Sequence, residues 1–290
     1  MPVPHESPIA SARASIVIPA HNEEAVIGHL LERLLEGTTT GEFDIVVLAN
    51  GCTDGTAAKA REYEPAVRVL DLPEPSKRNA LKRGDAETDV FPRIYVDGDV
   101  DLGSADVRAL ASALEAGALA AAPVRVIHRE AAGMLVRAFY DVWEELPQVR
   151  DAPFGRGVVA LSKAGVERVR DLPPMMSDDL AMTAAFTADE RVIVPEARVG
   201  IWPPRTVRDL VRRRIRVYTG NEQFDQAAPR SDELTTSPRD LLAIVKRRPR
   251  MTPKLAVFAG VAVVSKIAAR RRTRAGDYTT WLRDESSRAR

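Results

Sequence analysis

Three aspartates, Asp97, Asp99 and Asp101, follow an apolar run in "RIYVDGDVDL" (93–102), with Gly98 between the first two. Asp97 and Asp99 are two apart, so in extended backbone their side chains point to the same side, and Gly98 lets a ligand approach the main chain. Paired carboxylates of this kind suit a hard divalent cation such as Mg2+, which takes a few carboxylate oxygens and completes its shell with phosphates and water. The competing structural reading is a turn followed by a helix cap, with Asp101 or Ser104 opening a helix over 105–117. The cap is preferred for Asp101, and the cation for Asp97 and Asp99.

Two more polar clusters follow apolar runs. "PAHNEE" (19–24) ends the β-branched run 14–20, and "ANGCTDG" (49–55) ends the run 43–49. Strands are also expected at 66–72 and 92–98, with helices at 23–37, 57–63 and 76–87 between them. Strands alternating with helices at this spacing predict an α/β fold whose mostly parallel sheet is covered on both faces. In such sheets ligands sit beyond the C-terminal strand ends where the strand order reverses. That rule places "PAHNEE", "ANGCTDG" and "DGDVD" on one rim. It is also why the cation reading of Asp97 and Asp99 is favoured. His21 is a candidate to touch a ligand there, while Asn-Gly and Asp-Gly in the second cluster would also serve as plain turn formers.

Further along, helices are expected at 105–117, 134–146, 175–189 and 206–224, and strands at 122–128, 154–162 and 191–202. "SDD" (177–179) begins the third of these helices. It reads either as a cap, with Ser177 or Asp178 at the positive helix end, or as a base at Asp179. The two roles can coexist. Residues 228–238 read as a linker before two C-terminal helices.

Composition bounds the rest. The chain has 290 residues, 45% hydrophobic and 29% charged, which is ordinary globular material. Its single cysteine, Cys52, allows no internal disulfide and fits a reducing compartment; a structural place is expected for it. Residues 1–19 lack a charged leader with a long apolar core, so no signal peptide is expected. The longest apolar run, 255–264, falls short of the ~20 residues of a bilayer span. The formal charge of +1 hides an asymmetry: from Arg205 onward there are 21 Lys+Arg and 9 Asp+Glu, against 21 and 32 before it. An acidic body with a basic C-terminal part suggests two surfaces.

Taken in order, six segments resemble the family 2 glycosyltransferases. "IVIPAHNEE" is similar to that family's first strand with its P-x-x-N-E-E ending. "VVLANGCTDGTAAKA" resembles the second strand and its D-D-G-S-T-D-G-T turn. "SKRNALKRG" resembles the G-K-x-x-A-L-N-x-G helix, "YVDGDV" the D-x-D motif, "SDDLAM" the E-D pair that carries the base, and "RRIRVYTG" a degraded Q-x-x-R-W. The resemblance covers roughly residues 14–220. It implies a GT-A fold, Rossmann-like with helices on both faces of the sheet, over residues 1–225, with residues 226–290 as a linker and basic helical appendage. It further implies that Pro19, Ala20, Asn22 and Glu23 line a nucleotide pocket and that Asn50 stands where a base-reading acid is usual. Lys77 would lie near the donor. Asp97 would contact the ribose or the metal, and Asp99 would reach a Mg2+ or Mn2+ ion on the donor diphosphate. Asp179, beside Asp178, would be the general base, with Arg213 and Arg216 near the diphosphate or acceptor. The implied activity is inverting transfer of one sugar from a UDP- or GDP-sugar to a hydroxyl acceptor.

The sequence departs from the family pattern at several points. Ala49 and Asn50 replace the usual acidic pair, Lys82 replaces an Asn, and Arg213 and Val217 replace the Gln and Trp of Q-x-x-R-W. The identity of the nucleotide base therefore stays open. A retaining transferase such as a glucosyl-phosphoglycerate synthase, without a functional base at Asp179, remains an alternative. So does a non-catalytic nucleotide- or membrane-binding module. "KRRPR" (246–250) and "RRRTR" (270–274) flank the apolar run 255–264, a pattern that binds anionic lipid surfaces. This gives an expectation of a cytoplasmic protein, peripheral at the inner face of the plasma membrane, with a lipid-linked acceptor in reach. No aromatic array accompanies the basic charge, so nucleic acid is not an expected partner.

Overall fold

The computed structural model describes residues 12–151, 155–172, 178–227, 235–277 and 284–288. Its centre is a seven-stranded sheet. The strands are β1 (Ala14–Ala20), β2 (Phe43–Asn50), β3 (Val67–Leu72), β4 (Arg93–Val96), β5 (Ala120–Ile127), β6 (Val158–Leu161) and β7 (Arg191–Ile201), in the spatial order β3-β2-β1-β4-β6-β5-β7. The pairs β1–β2, β1–β4, β2–β3 and β5–β7 are parallel, whereas β6 runs antiparallel to both β4 and β5.

Period-two burial on both faces explains the near-continuous apolar strands. In β1, Ile16 and Ile18 join the core under α1 (Glu24–Leu35) and α4 (Ser104–Glu115), while Val17 faces the opposite core with Ala80 and Leu81 of α3 (Lys77–Ala86). The first three βα units hold the expected alternation. From β1 the chain steps outward through β2 and β3, with α2 (Thr56–Arg61) between them, then crosses back past β1 to β4. The strand order therefore reverses between β1 and β4, and the ends of those two strands flank the switch point.

The remaining helices are α5 (Met134–Trp143), α6 (Pro147–Arg150), α7 (Lys163–Val169), α8 (Asp178–Ala184), α9 (Val207–Ala227), α10 (Pro238–Arg247) and α11 (Thr252–Arg274). In α11, Phe258, Val261, Ser265 and Ala269 are buried at helical spacing, and Phe258 stacks on Phe139 of α5 at 4.9 Å. The opposite side of α11 exposes Val263, Val264 and Ile267. Among the described residues, Pro249–Arg274 is a helix long and apolar enough, by length and composition, to cross a membrane.

The structure corrects the cap reading of Asp101. Gly103 is the N-cap of α4, and Asp106 in the first turn accepts from the Gly103 N–H at 2.9 Å. Asp101 instead accepts from Arg33 Nε at 3.1 Å and lies 3.6 Å from His29 Nε2. An acid three residues into a helix accepts from the N-cap N–H, the reciprocal half of a capping box, and so ties down the helix start where the cap residue is a glycine. The expected linker 228–238 falls mostly outside the described residues.

Candidate functional site

The switch point collects residues from several distant parts of the chain. After β1 the backbone turns through His21 and Asn22. Asn22 adopts a left-handed φ of 53°, a conformation asparagine tolerates better than most residues. Its Oδ1 accepts from Thr53 N at 2.7 Å, which ties this turn to the one after β2. His21 Nδ1 lies 2.7 Å from the Asn50 carbonyl oxygen. Pro19 and Ala20 lie in β1 itself, where Ala20 is fully buried. Glu23, only 8% exposed, is the N-cap residue of α1, and its N–H donates to Thr56 Oγ1 at 2.7 Å.

Asn50, expected on resemblance to face a nucleotide base, is 3% exposed and serves the frame. Its Nδ2 donates to the Ala20 carbonyl at 2.8 Å, and its Oδ1 accepts from Ser76 N at 3.1 Å. One amide thus joins the ends of β1 and β2 to the start of α3. Cys52 takes the structural place expected of it: its Sγ lies 3.5 Å from the Ala20 carbonyl, and burial pushes its pKa up, away from thiolate reactivity.

Asp97, Gly98 and Asp99 follow β4. Asp97 N donates to Gly157 O at 2.8 Å, so the antiparallel β6 edge fixes the turn that carries the acids. Lys77, the first residue of α3, places Nζ 2.8 Å from Asp97 Oδ1. Gly98 does not leave the open approach expected of it. It is buried, and a Cβ there would stand 3.3 Å from Glu23 Cγ. The glycine allows Glu23 to pack beside the aspartates.

Two arginines of α9 complete the pattern drawn from the sequence. Arg213 donates to the Trp202 carbonyl at 3.3 Å. Its pKa is raised, with Tyr140 the largest contributor; burial opposes the rise, and Asp99 and Asp284 add to it. Arg216 is pushed down to about 10 by burial and by Arg213, with Asp99 and Asp97 pulling the other way. Trp202 stacks on His128 at 4.7 Å between ring centres, so its ring is partly occupied by the chain's own imidazole. Asp178 and Asp179 open α8, but their side chains lie outside the described residues.

Three arginines escaped the sequence reading. Arg288 places Nε 2.7 Å from Glu23 Oε2, Nη2 2.9 Å from Glu23 Oε1 and Nη2 2.8 Å from Asp99 Oδ2. Burial works against its charge, but Asp99, Glu23 and Asp284 outweigh burial and hold its pKa above the ordinary arginine value. Arg125 and Arg156 lie deeper, and burial pushes them down to about 9 and about 10. Arg125 sits 4.5 Å from the centre of the Trp143 ring. Periodicity and spacing carry no signal for any of these. For Arg288 alone the clue available was the surplus of basic residues from Arg205 onward.

The donor set can be tested against a divalent cation. Asp97 and Asp99 offer hard oxygen ligands on one turn, with the Glu23 carboxylate facing Asp99 through a shared guanidinium. Among the described residues no group of three His, Cys, Asp or Glu is placed to hold an ion unaided. A cation held by one or two carboxylates and completed by phosphate oxygens and water needs no such group. The residues fit Mg2+ or Mn2+ arriving with a diphosphate.

Comparison with known proteins bears on the same segment. Residues 15–145 match the family model for glycosyl transferase family 2. Those residues belong to that family. They contain β1 to β4, the turn with Asp97 and Asp99, and Lys77. The chain is similar to a dodecaprenyl-phosphate galacturonate synthase from Rhizobium johnstonii, 28% identical over 115 residues, covering 37% of this chain and 34% of the relative. It is also similar to a 4,4'-diaponeurosporenoate glycosyltransferase from Staphylococcus aureus, 34% identical over 92 residues, covering 30% and 24%. The matches thus span about a third and a quarter of the lengths of these relatives. Among solved structures, a mannosyltransferase from Pyrobaculum calidifontis in complex with GDP-Man and Mn2+ superposes with a TM-score of 0.58. The identity is 18%, with 93% of this chain and 78% of that one covered. The fold is GT-A-like, followed by C-terminal helices.

Proposed function

We propose that this chain transfers one sugar from a nucleotide-diphosphate donor, a UDP- or GDP-sugar, to a hydroxyl acceptor with inversion at the anomeric carbon. The observation that carries the reading is the meeting of Asp97, Asp99, Glu23 and Lys77 at the switch point of a family 2 segment. The leaving diphosphate gathers negative charge as the glycosidic bond breaks. In this reading Lys77, Arg213 and Arg216 are the cations of the body that stabilise it. A Mg2+ or Mn2+ ion at Asp99 and Asp97 would supply Lewis-acid neutralisation of that same charge. Asp179, with Asp178 beside it at the start of α8, takes the acceptor proton as general base. Pro19, Ala20, His21 and Asn22 form the nucleotide side of the pocket, and Asn50 holds their turn in place.

The test is a thermal-shift panel of nucleoside diphosphates with and without Mn2+. Stabilisation by a uridine or guanosine diphosphate that depends on Mn2+ is expected, and no shift with any nucleotide rejects the reading. In the same samples Asp179→Asn is expected to keep the nucleotide shift and lose about 10²- to 10⁴-fold in kcat. Retained turnover would remove the base assignment and favour a retaining mechanism.

The reading extends to where the acceptor lies. Residues 226–290 would form a membrane-facing appendage on the catalytic body. Exposed Leu242, Val263, Val264 and Ile267 lie on α10 and α11, with Lys246, Arg247, Arg248 and Arg250 at one end of α11 and Arg270, Arg271 and Arg274 at the other. Basic residues near an anionic surface contribute about 1 kcal/mol each. One relative's name carries a dodecaprenyl phosphate, and a lipid-linked acceptor suits this surface. Co-sedimentation with phosphatidylglycerol vesicles, weakened by salt and absent with phosphatidylcholine alone, is expected. Equal binding to both lipids, or to neither, would count against it.

A further inference from the structure

The carboxylates that suit a metal already hold a cation of the chain itself. Arg288 lies 265 residues from Glu23 in sequence, yet its guanidinium forks across both Glu23 oxygens and reaches Asp99 Oδ2. Around it stand Glu23, Asp97, Asp99 and Asp284, matched by Lys77, Arg213, Arg216 and Arg288. Four acids against four bases leave the cluster electroneutral before any ligand arrives.

A compact turn carries the arginine. Asp284 Oδ1 accepts from Ser286 N and Ser286 Oγ, and its carbonyl accepts from Arg288 Nη1 at 2.6 Å. Ser286 Oγ in turn accepts from Arg205 N at 3.0 Å, which anchors the turn beside the end of β7. The segment is therefore seated on the site by specific bonds.

We infer that Asp284–Arg288 is an intramolecular plug whose arginine competes with the divalent cation for Asp99, so that metal binding requires Arg288 to leave. The inference rests on the donor-site reading above. A divalent ion entering while Arg288 stays would have to share the Asp99 oxygen with a guanidinium 2.8 Å away and would bring two further positive charges. Release of Arg288 removes both obstacles. It also frees a guanidinium, the side chain best shaped to grip phosphate oxygens in two places, next to the arriving diphosphate. If the docked state holds about nine-tenths of the population, apparent metal affinity falls about tenfold.

The test titrates Mn2+ alone into the full chain, following the paramagnetic resonance of free Mn2+, for the parent, Arg288→Ala, Arg288→Lys and Asp99→Asn. Arg288→Ala is expected to bind Mn2+ about tenfold more tightly. Arg288→Lys, which keeps the charge but loses the fork, should fall between. Asp99→Asn should bind least. Should Arg288→Ala fail to fold, the lysine variant carries the comparison. Equal or weaker Mn2+ binding without the arginine overturns the inference, as does no binding by any of the chains. Mn2+ with UDP or GDP on the same samples separates the two ideas. Nucleotide binding with unchanged Mn2+ affinity keeps the transferase and discards the plug. Tighter Mn2+ binding with no nucleotide bound does the reverse.

Discussion

Asp99→Asn is expected to abolish the Mn2+-dependent part of nucleoside diphosphate binding and to lower sugar transfer by about 10³-fold, in line with loss of a leading electrostatic contributor to a transition state. The substitution keeps shape and removes charge. In the folded chain Asp99 touches Arg288 and faces Arg213 and Arg216, and its side chain is 31% exposed. A neutral amide there binds a hard cation poorly. A purely structural role gives a different result: the variant would melt earlier, because Arg288 loses one of its two carboxylate partners, yet would hold Mn2+·nucleotide as the parent does. Calorimetric titration together with a melting curve separates these outcomes. Unchanged Mn2+ dependence of nucleotide binding in Asp99→Asn would sink the metal assignment.

How much of this site could be read in the sequence depends on the distance over which each contact acts. The strands and their polar ends were legible because burial on both faces leaves local apolar runs, and turns demand local residue types. Asp97 and Asp99 were legible as a pair from their spacing after an apolar run, although they sit on a turn after β4 and not in the extended backbone that the spacing assumed. The antiparallel insertion of β6 between β4 and β5 was not, since nothing in "VVAL" distinguishes its direction. Gly98 was misread because its neighbour in space, Glu23, comes from another βα unit. The same holds for Asn50, whose three partners belong to β1, β2 and the loop before α3. Arg288 is the extreme case: the partner that decides its role lies near the other end of the chain. Asp101 failed for a subtler reason. Asp106, inside the helix, accepts from the N-cap N–H, and a cap search centred on the preceding residues passes over it.

Gly51→Ala is expected to destabilise the fold by about 3 kcal/mol and lower the melting temperature by about 10 °C. Gly51 adopts φ +59°, in the left-handed region, where a Cβ alone costs about 1–2 kcal/mol. There is a second cost. A Cβ would stand 2.5 Å from Pro75 N and 2.7 Å from Pro75 Cα, and this backbone cannot rotate away. Overpacking of that kind adds about 1–3 kcal/mol. The displacement falls on the donor site. Pro75 precedes Ser76, whose N–H donates to Asn50 Oδ1 and whose Oγ caps α3 through Asn79 N, and Lys77 follows as the partner of Asp97. A shift of about 1 Å in a positioning element can cost about 10²-fold in rate, so donor turnover should fall along with stability. Gly37→Ala supplies the comparison. Gly37 has φ +65° with nothing within 4 Å of the added Cβ, so that variant carries the backbone cost without the clash. Melting curves of the two should differ by several degrees, with Gly51→Ala lower and Gly37→Ala alone keeping the parent's nucleotide affinity. Equal melting temperatures would mean that the Pro75 contact relaxes freely, and that the turn after β2 does not hold Lys77 in place.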